Sequence, residues 1–277
     1  MQTYDVTAVI VTFKSEHKIF SCIDSIHKDI KIIIIENSDD INFKKSVETY
    51  RKNIECFLLN QNRGYAFANN YGLKKVNTRY ALILNPDVRL LKDTIDNFIL
   101  TASQKKEFWL IGPNQHFGKK NNKSYEEIYE ANNIKGYAMF LNIEKFNDKF
   151  FDENFFLYFE EIDLCKQVKL QGGKILIDKR INLEHDGGSS VKLDSYHELE
   201  KNRNWHWMWS TFYFQKKYKG FLFAFLIIFP KLVSIILKIF FYIFLRKKKQ
   251  KEIYICRLSG IINSLLGKKS WYRPALD

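Results

Sequence analysis

Acidic residues nearly vanish from one end of this chain. Residues 201–277 hold 16 lysines and arginines but only two acids, a balance of +14. Residues 1–200 hold 28 basic and 29 acidic residues, a balance of −1, so the net charge of +13 belongs to the tail. A neutral body argues against nucleic-acid binding, and a basic tail suits an anionic membrane surface. Cysteine is scarce too. Cys22, Cys56, Cys165 and Cys256 lie far apart and form no C-x-x-C pair, which argues against a zinc site and a disulfide framework. Cys22 and Cys165 sit in apolar helical contexts and read as buried thiols, in keeping with a reducing cytosol. No signal peptide is visible, because Met1 to Asp5 leads straight into a strand. Within the very apolar stretch Gly220 to Leu245 the longest run without charge or proline is Phe221 to Phe229, too short to cross a bilayer alone. There is no internal repeat. No glycine-rich basic loop follows the first strand, where Thr12-Phe13-Lys14-Ser15-Glu16 stands. A sugar nucleotidyltransferase, the competing enzymatic reading, needs such a loop for its triphosphate.

What is present is a regular alternation. Val6–Val11, Lys31–Ile35, Cys56–Leu59 and Tyr80–Leu84 are apolar strand-like runs. Between them, Ser15–His27, Phe43–Asn53 and Tyr65–Lys75 read as helices, with Ser15 a possible N-cap. Strands apolar throughout and alternating with helices indicate a parallel sheet covered on both faces. Further on, Leu91–Ser103 and Glu160–Gln171 read as helices, and Trp109–Gly112, Gly136–Asn142 and Lys174–Asp178 as strands. His116–Lys123 is a polar, basic loop.

Each early strand ends in polar residues: Thr12, Glu36-Asn37, Asn62-Arg63-Gly64 and Asn85-Pro86-Asp87. In open α/β sheets ligands sit at these carboxyl ends. Pro86 stops its strand and presents Asp87, a carboxylate able to hold a hard cation that carries phosphates. The bland alternative is a turn, since Asn, Pro and Asp are common turn formers. Downstream, Glu160-Glu161-Ile162-Asp163 follows an aromatic run, and His185 precedes Gly187-Gly188-Ser189-Ser190. Acids in the first turn of a helix are also favoured by its dipole without any catalysis.

These segments together resemble glycosyltransferase family 2, in particular its rhamnosyltransferase-like branch. Asn62-Arg63-Gly64-Tyr65-Ala66-Phe67-Ala68-Asn69-Asn70-Tyr71-Gly72 is similar to the N-x-G-F-A-x-x-x-N-x-G signature. Leu84-Asn85-Pro86-Asp87 matches L-N-P-D, and Phe151 to Cys165 is similar to F-D-E-x-F-F-x-Y-x-E-D-x-D-L-C. His185 with Gly187 to Ser190 is similar to a closing H-x-x-G-x-S. Four motifs in the right order, spread over residues 6 to about 215, carry more weight than any one of them.

The resemblance implies a GT-A fold, with a Rossmann-like nucleotide-binding half on a mixed, mainly parallel sheet. It implies an inverting transfer of a sugar from a nucleotide diphosphate-sugar to a glycan acceptor. Asp87 becomes a ligand of Mg²⁺ or Mn²⁺, with His185 as a further metal or diphosphate ligand. Thr12, Glu36 and Asn37 line the nucleoside pocket, Glu36 standing where aspartate is more usual. Asn62, Arg63, Gly64 and Asn85 complete the nucleotide-sugar contacts. Glu161 takes the position of the catalytic base, again where aspartate is more usual. Tyr158, Glu160 and Asp163 are candidates for the acceptor side. Rhamnose is the first choice of sugar, and the acceptor is read as a glycan on a lipid diphosphate carrier, as in O-antigen or other polysaccharide assembly. A non-enzymatic alternative is a membrane-bound scaffold of the same fold, against which Asp87, Glu161 and His185 stand together.

Residues 1–200 are thus read as the catalytic domain and residues 201–277 as a helical membrane-association region. Trp205, Trp207, Trp209, Phe212, Tyr213 and Phe214 open that region, and Gly220–Leu245 is very apolar but interrupted by Pro230, Lys231 and Lys238. Lys231, Ser234 and Lys238 share one helical face, which places helices in the membrane interface with basic residues towards headgroups. Arg246-Lys247-Lys248-Lys249-Gln250-Lys251 then meets anionic lipid on the cytoplasmic side of the inner membrane. A tilted spanning helix with snorkelling lysines, or a buried helical hairpin, are the alternatives.

Overall fold

Pro86 and the paired glycines Gly172-Gly173 punctuate the chain where the sheet strands stop and start. The computed structural model describes residues 4–114, 126–187 and 196–273. The basic loop at His116–Lys123, and Gly188-Ser189-Ser190, lie outside these residues. The chain divides into two compact units, Met1–Asp152 with Glu161–Lys192, and Glu153–Glu160 with Leu193–Asp277.

The first unit opens with β1 (Val6–Thr12), α1 (Glu16–Ser25), β2 (Lys31–Glu36), α2 (Ile41–Tyr50), β3 (Ile54–Leu58), α3 (Tyr65–Leu73) and β4 (Tyr80–Leu84). β5 (Val88–Leu90), α4 (Thr94–Gln104), β6 (Phe108–Gly112), β7 (Ile128–Glu130) and β8 (Ala138–Asn142) follow. α5 (Glu160–Leu170), β9 (Lys174–Asp178) and β10 (Leu183–His185) complete it. The eight-stranded sheet has the order β3-β2-β1-β4-β8-β6-β9-β7. β1 pairs in parallel with β2 and β4, β2 with β3, and β6 with β9. β8 is antiparallel to both β4 and β6, and β7 is antiparallel to β9. The sheet is therefore mixed and mainly parallel. β1, β2 and β4 are buried along nearly their whole length, which is why they read as continuous apolar runs, whereas β3 is only partly buried, with Glu55 exposed.

Some ends differ from the sequence reading. Ser15 precedes α1 without capping it, because its hydroxyl donates to the Phe13 carbonyl instead. Asp40 does cap α2, accepting from the Phe43 amide at 2.9 Å. Gly72 lies where a Cβ would come within 2.6 Å of Val9 Cγ1, so it lets α3 seat closely on the sheet.

The second unit contains α6 (Tyr196–Lys219), α7 (Phe221–Phe244) and α8 (Lys248–Leu265). Met208 and Phe212 of α6, Ala224, Ile228 and Ile235 of α7, and Ile261 of α8 form its core. Gly260 touches α6 directly, since a Cβ there would sit 2.3 Å from the Trp205 carbonyl oxygen. The apolar tail is not broken at Pro230, contrary to the reading above. One 24-residue helix runs through it. Ile228 and Ile235 are buried on either side of the proline, so packing holds the helix straight through the missing hydrogen bond. Among the described residues this is the one helix long and apolar enough to cross a membrane.

The segment before α5 also belongs to this unit. Tyr158 and Phe159 both have left-handed backbones, with φ of 68° and 73°. Each conformation costs of order 1–3 kcal/mol for a bulky residue. Their rings lie against Trp207, at centroid distances of 5.3 Å, and Ser210 Oγ donates to the Leu157 carbonyl at 3.0 Å. His206 is fully buried and stacked on Phe156. Its Nε2 lies 2.9 Å from the Tyr272 carbonyl and its Nδ1 2.8 Å from Ser270 Oγ. A carbonyl only accepts, so Nε2 carries the proton and Nδ1 accepts from the serine. Burial holds this imidazole neutral, its pKa pushed down to about 3. The histidine thus ties residues 270–272 to α6.

Candidate active site

The strand ends form a connected network. Thr12 Oγ1 donates to Glu36 Oε2 at 2.5 Å, and the Ser38 amide donates to Oε1 at 2.7 Å, joined there by the Ser38 hydroxyl. Glu36 is buried, and burial pushes its carboxyl up while these hydrogen bonds pull it down. Both carboxylate oxygens are engaged by the chain's own strand ends. Asn37 accepts from the Arg63 amide at 2.8 Å and donates to the Gly64 carbonyl at 3.4 Å. Asn62 Oδ1 accepts from the Gly64 amide at 3.0 Å, closing a turn in which Gly64 adopts φ of 87°. The Arg63 guanidinium lies 3.5 Å above the Phe67 ring. One turn on, Asn70 brackets the Phe151 peptide, accepting from its amide and donating to its carbonyl, both at 2.9 Å. This signature asparagine pins the start of the aromatic segment.

Asn85-Pro86-Asp87-Val88 is a β-turn, closed by the Val88 amide donating to the Asn85 carbonyl at 3.1 Å. β5 leaves that turn and pairs antiparallel with β10, placing His185 opposite Val88. His185 Nε2 consequently stands 3.5 Å from Asp87 Oδ1. The Asp87 side chain is completely buried, and neither of its oxygens has a hydrogen-bond partner among the described residues. A buried carboxylate without donors is costly unless a cation compensates it. This is the observation that fits a divalent metal here. Among the described residues there is no group of three or more His, Cys, Asp or Glu able to hold one. Asp87 and His185 would therefore share the ion with oxygens of its phosphate-bearing ligand. Beside them, Lys18 and Asp186 form an ion pair at 2.7 Å.

Residues 136 and 137 draw the rest together. The Asn85 amide donates to the Tyr137 carbonyl at 2.9 Å, and the Tyr137 ring stacks on His185 at 4.3 Å. The Tyr65 hydroxyl lies 2.9 Å from the Gly136 carbonyl oxygen and 3.0 Å from Asn85 Oδ1. A Cβ on Gly136 would lie 3.4 Å from Glu161 Cβ and 3.5 Å from its Cγ, so the glycine backs the Glu161 side chain. Burial raises the Glu161 pKa, while the first-turn amides of α5 and the Lys135 ammonium pull it down. Asp163 is buried and accepts from Gln167 Nε2 at 2.6 Å, and Glu160 is buried beside it in the chain. Tyr158 packs on Trp207.

The structure thus gathers Asn85, Asp87, His185 and Glu161 around Gly136-Tyr137, and Thr12, Glu36, Asn37, Asn62, Arg63 and Gly64 around the ends of β1 to β3. Tyr65, Gly136, Tyr137 and Lys18 were missed. Tyr65 stood where the signature has phenylalanine, so its hydroxyl was the available signal. The others carried none.

The fold and this arrangement define a GT-A protein, and the chain belongs to glycosyl transferase family 2, whose pattern matches residues 7–165. It is 23% identical over 192 residues to the low-salt glycan biosynthesis hexosyltransferase Agl10 of Haloferax volcanii, covering 60% of this chain and 62% of that protein. Over 101 residues it is 29% identical to the teichoic acid poly(glycerol phosphate) polymerase of Staphylococcus epidermidis, 34% of this chain and 14% of that one. It thus spans less than two thirds of these curated relatives. Among solved structures, the mannosyltransferase PcManGT from Pyrobaculum calidifontis, in complex with GDP-Man and Mn²⁺, shares the fold. The TM-score is 0.60, with 10% identity over 96% of this chain and 88% of that one.

Proposed function

We propose that this chain is an inverting, metal-dependent glycosyltransferase that moves a sugar from a nucleotide diphosphate-sugar to a glycan acceptor. The observation that carries this reading is the convergence on Gly136-Tyr137 of a buried, donorless Asp87 and a Glu161 of raised proton affinity. Residues 1–200 are the catalytic part and residues 201–277 the membrane-association region.

Asp87 and His185 hold Mg²⁺ or Mn²⁺, which supplies neutralisation of the charge on the departing diphosphate. Glu161 accepts the proton of the acceptor hydroxyl as the new bond forms. Its raised pKa makes it the stronger base. A single base on the face opposite the leaving group gives direct displacement with inversion. Thr12, Glu36, Asn37 and the Asn62–Gly64 turn shape the nucleoside end, Glu36 by holding the strand ends together. Tyr158, Glu160 and Asp163 belong to the acceptor side. dTDP-rhamnose is the first donor to test. The acceptor is proposed to be a lipid-diphosphate-linked glycan of the cell surface, a reading the glycan-biosynthesis relatives support.

We propose that the basic tail holds the enzyme on the cytoplasmic face of the membrane, a reading its charge supports. Helix α7 is about 36 Å long, enough to span. Yet Ala224, Ile228 and Ile235 pack on α6 and α8, and α8 carries Glu252, Arg257 and Asn263. A spanning α7 would pull those polar groups into lipid. Its opposite face, with Leu222, Leu226, Phe229, Leu237, Phe240 and Phe244, is exposed. Lying flat, α7 buries that face while the basic residues at both its ends meet headgroups. Release of nucleoside diphosphate from a panel of sugar donors, with and without Mn²⁺, tests the activity. Absence of release from every donor, in protein and membranes alike, refutes it.

A further inference from the structure

Membrane attachment leaves two tryptophans at the start of the tail without a role. Trp205 and Trp209 are buried, so neither ring is open to lipid. Each uses its indole N–H inside the tail. Trp205 donates to Ser259 Oγ of α8 at 3.1 Å, and Trp209 to the Lys268 carbonyl at 3.0 Å. Residues 268–273 run past these rings as a strap. Trp271 Nε1 donates to Asn263 Oδ1 of α8 at 2.9 Å, and the Tyr272 ring stacks on Trp205 at a centroid distance of 5.6 Å. His206 holds the same strap through Ser270 and the Tyr272 carbonyl. The strap meets the aromatic segment at Arg273. Its guanidinium lies 3.2 Å above the Phe156 ring, on which His206 also stacks, at 4.6 Å. Arg273 Nη1 and Nη2 donate to the Tyr272 and Ser270 carbonyls at 2.8 and 3.2 Å, which orients the guanidinium plane. Phe156 is buried, and the left-handed pair Tyr158-Phe159 begins two residues after it. Glu160 and Glu161 come next and open α5. A strained backbone persists only where its surroundings over-determine it. α6 supplies one constraint through Trp207 and Ser210. The strap supplies a second, at Phe156.

We propose that Arg273 is a positioning residue for transfer: through Phe156 it holds the Tyr158-Phe159 turn, and so the entry to α5 that carries Glu161. The inference rests on the reading of Glu161 as the base. It gives the tail a second role, distinct from membrane attachment. The exposed face of α7 serves the membrane, and the strap serves the segment that leads into the base. It also gives the buried tryptophans a purpose, since they seat the strap that ends on Phe156.

The test is Arg273→Met in the full-length protein, with three readouts. Amide hydrogen exchange in residues 153–160 becomes faster while that of α7 stays as in wild type. The kcat for nucleoside diphosphate release from the donor panel falls about tenfold, with the donor KM unchanged. Flotation on phosphatidylglycerol vesicles is unchanged. Phe156→Leu produces a similar fall in kcat, and adding Arg273→Met to it changes nothing further, whereas independent structural damage adds. If Phe156→Leu does not fold, Arg273→Met alone decides the matter by exchange and kcat. Unchanged exchange in residues 153–160 overturns the inference whatever the activity. Faster exchange with wild-type kcat also overturns it, by showing a strap that serves the fold alone, and so do additive losses in the double variant. These outcomes leave nucleoside diphosphate release by the wild type, and with it the transferase reading, intact. If wild type releases none from any donor, the transferase reading falls and this inference falls with it.

Discussion

Glu161→Gln isolates the proton acceptor from everything else the residue does. The substitution keeps the shape, so the packing against Gly136, where an added Cβ would lie 3.4 Å from Glu161 Cβ, is unchanged. The loss is then chemical alone, about 10²–10⁴-fold in kcat. That corresponds to roughly 3–5 kcal/mol in the barrier, with KM for the donor unchanged. The pH profile adds a second readout. Burial raises the Glu161 pKa, so the active carboxylate is lost as pH falls through a value above that of an ordinary glutamate. The acid limb of kcat/KM therefore lies on the high side, and Lys135→Met moves it higher still, because the Lys135 charge now favours the ionised form. Gly136→Ala supplies the geometric contrast. A methyl at 3.4–3.8 Å from Glu161 makes only ordinary van der Waals contact, so kcat stays within a few-fold of wild type and the acid limb remains. Nucleoside diphosphate release across pH 5–9 measures all four proteins. Wild-type turnover in Glu161→Gln, or an acid limb that survives in it, refutes the assignment.

Four further expectations follow from the structure. Asp87→Ala removes a buried carboxylate that has no hydrogen-bond donor, so the metal-free variant melts no lower than wild type and loses the Mn²⁺-dependent rise in Tm seen by calorimetry. The folded His206 titrates near 3 and an unfolded histidine near 6.5, so between those values the unfolded chain binds more protons and stability falls as pH drops, by about 1.4 kcal/mol per unit below pH 6.5. His206→Gln flattens that slope in pH-dependent melts. Gly260→Ala forces a methyl against the Trp205 backbone at 2.3 Å and lowers stability by about 3 kcal/mol, read as a lower Tm of the helical unit. Leu226→Lys with Phe240→Lys places two charges on the exposed face of α7 and releases the protein from anionic vesicles in a flotation assay; unchanged flotation places the membrane contact elsewhere.

How much of this was legible depended on whether the signal was local. Tyr80–Leu84 and Lys174–Asp178 are apolar strands bounded by Pro86 and by Gly172-Gly173, and both have the bounds read from sequence. The antiparallel placement of Ala138–Asn142 between β4 and β6 is a property of strand order, which no local pattern encodes. The three-residue strands Val88–Leu90 and Leu183–His185 are too short to show a period, yet their pairing brings His185 to Asp87. The family motifs named Asp87, His185 and Glu161 as candidates but not the Gly136-Tyr137 backbone that links them, because those contacts use carbonyls, an amide and a ring face. His206 lies among tryptophans and carries no local sign of its role. Its partners, Ser270 and Tyr272, lie 64 and 66 residues further along.

The left-handed pair Tyr158-Phe159 has a consequence for the order of events at synthesis. Nothing local favours that backbone, and the Ser210 contact to Leu157 that helps hold it spans 53 residues. At a translation rate of ~5–20 residues per second, the aromatic segment leaves the ribosome roughly 3–10 s before its α6 template is made. During that interval Phe155 and Phe156, both buried in the finished protein, have no surface of their own to settle on. The template for the aromatic segment is therefore made only after the segment itself, and premature termination before α6 leaves an aromatic loop that cannot take its final shape.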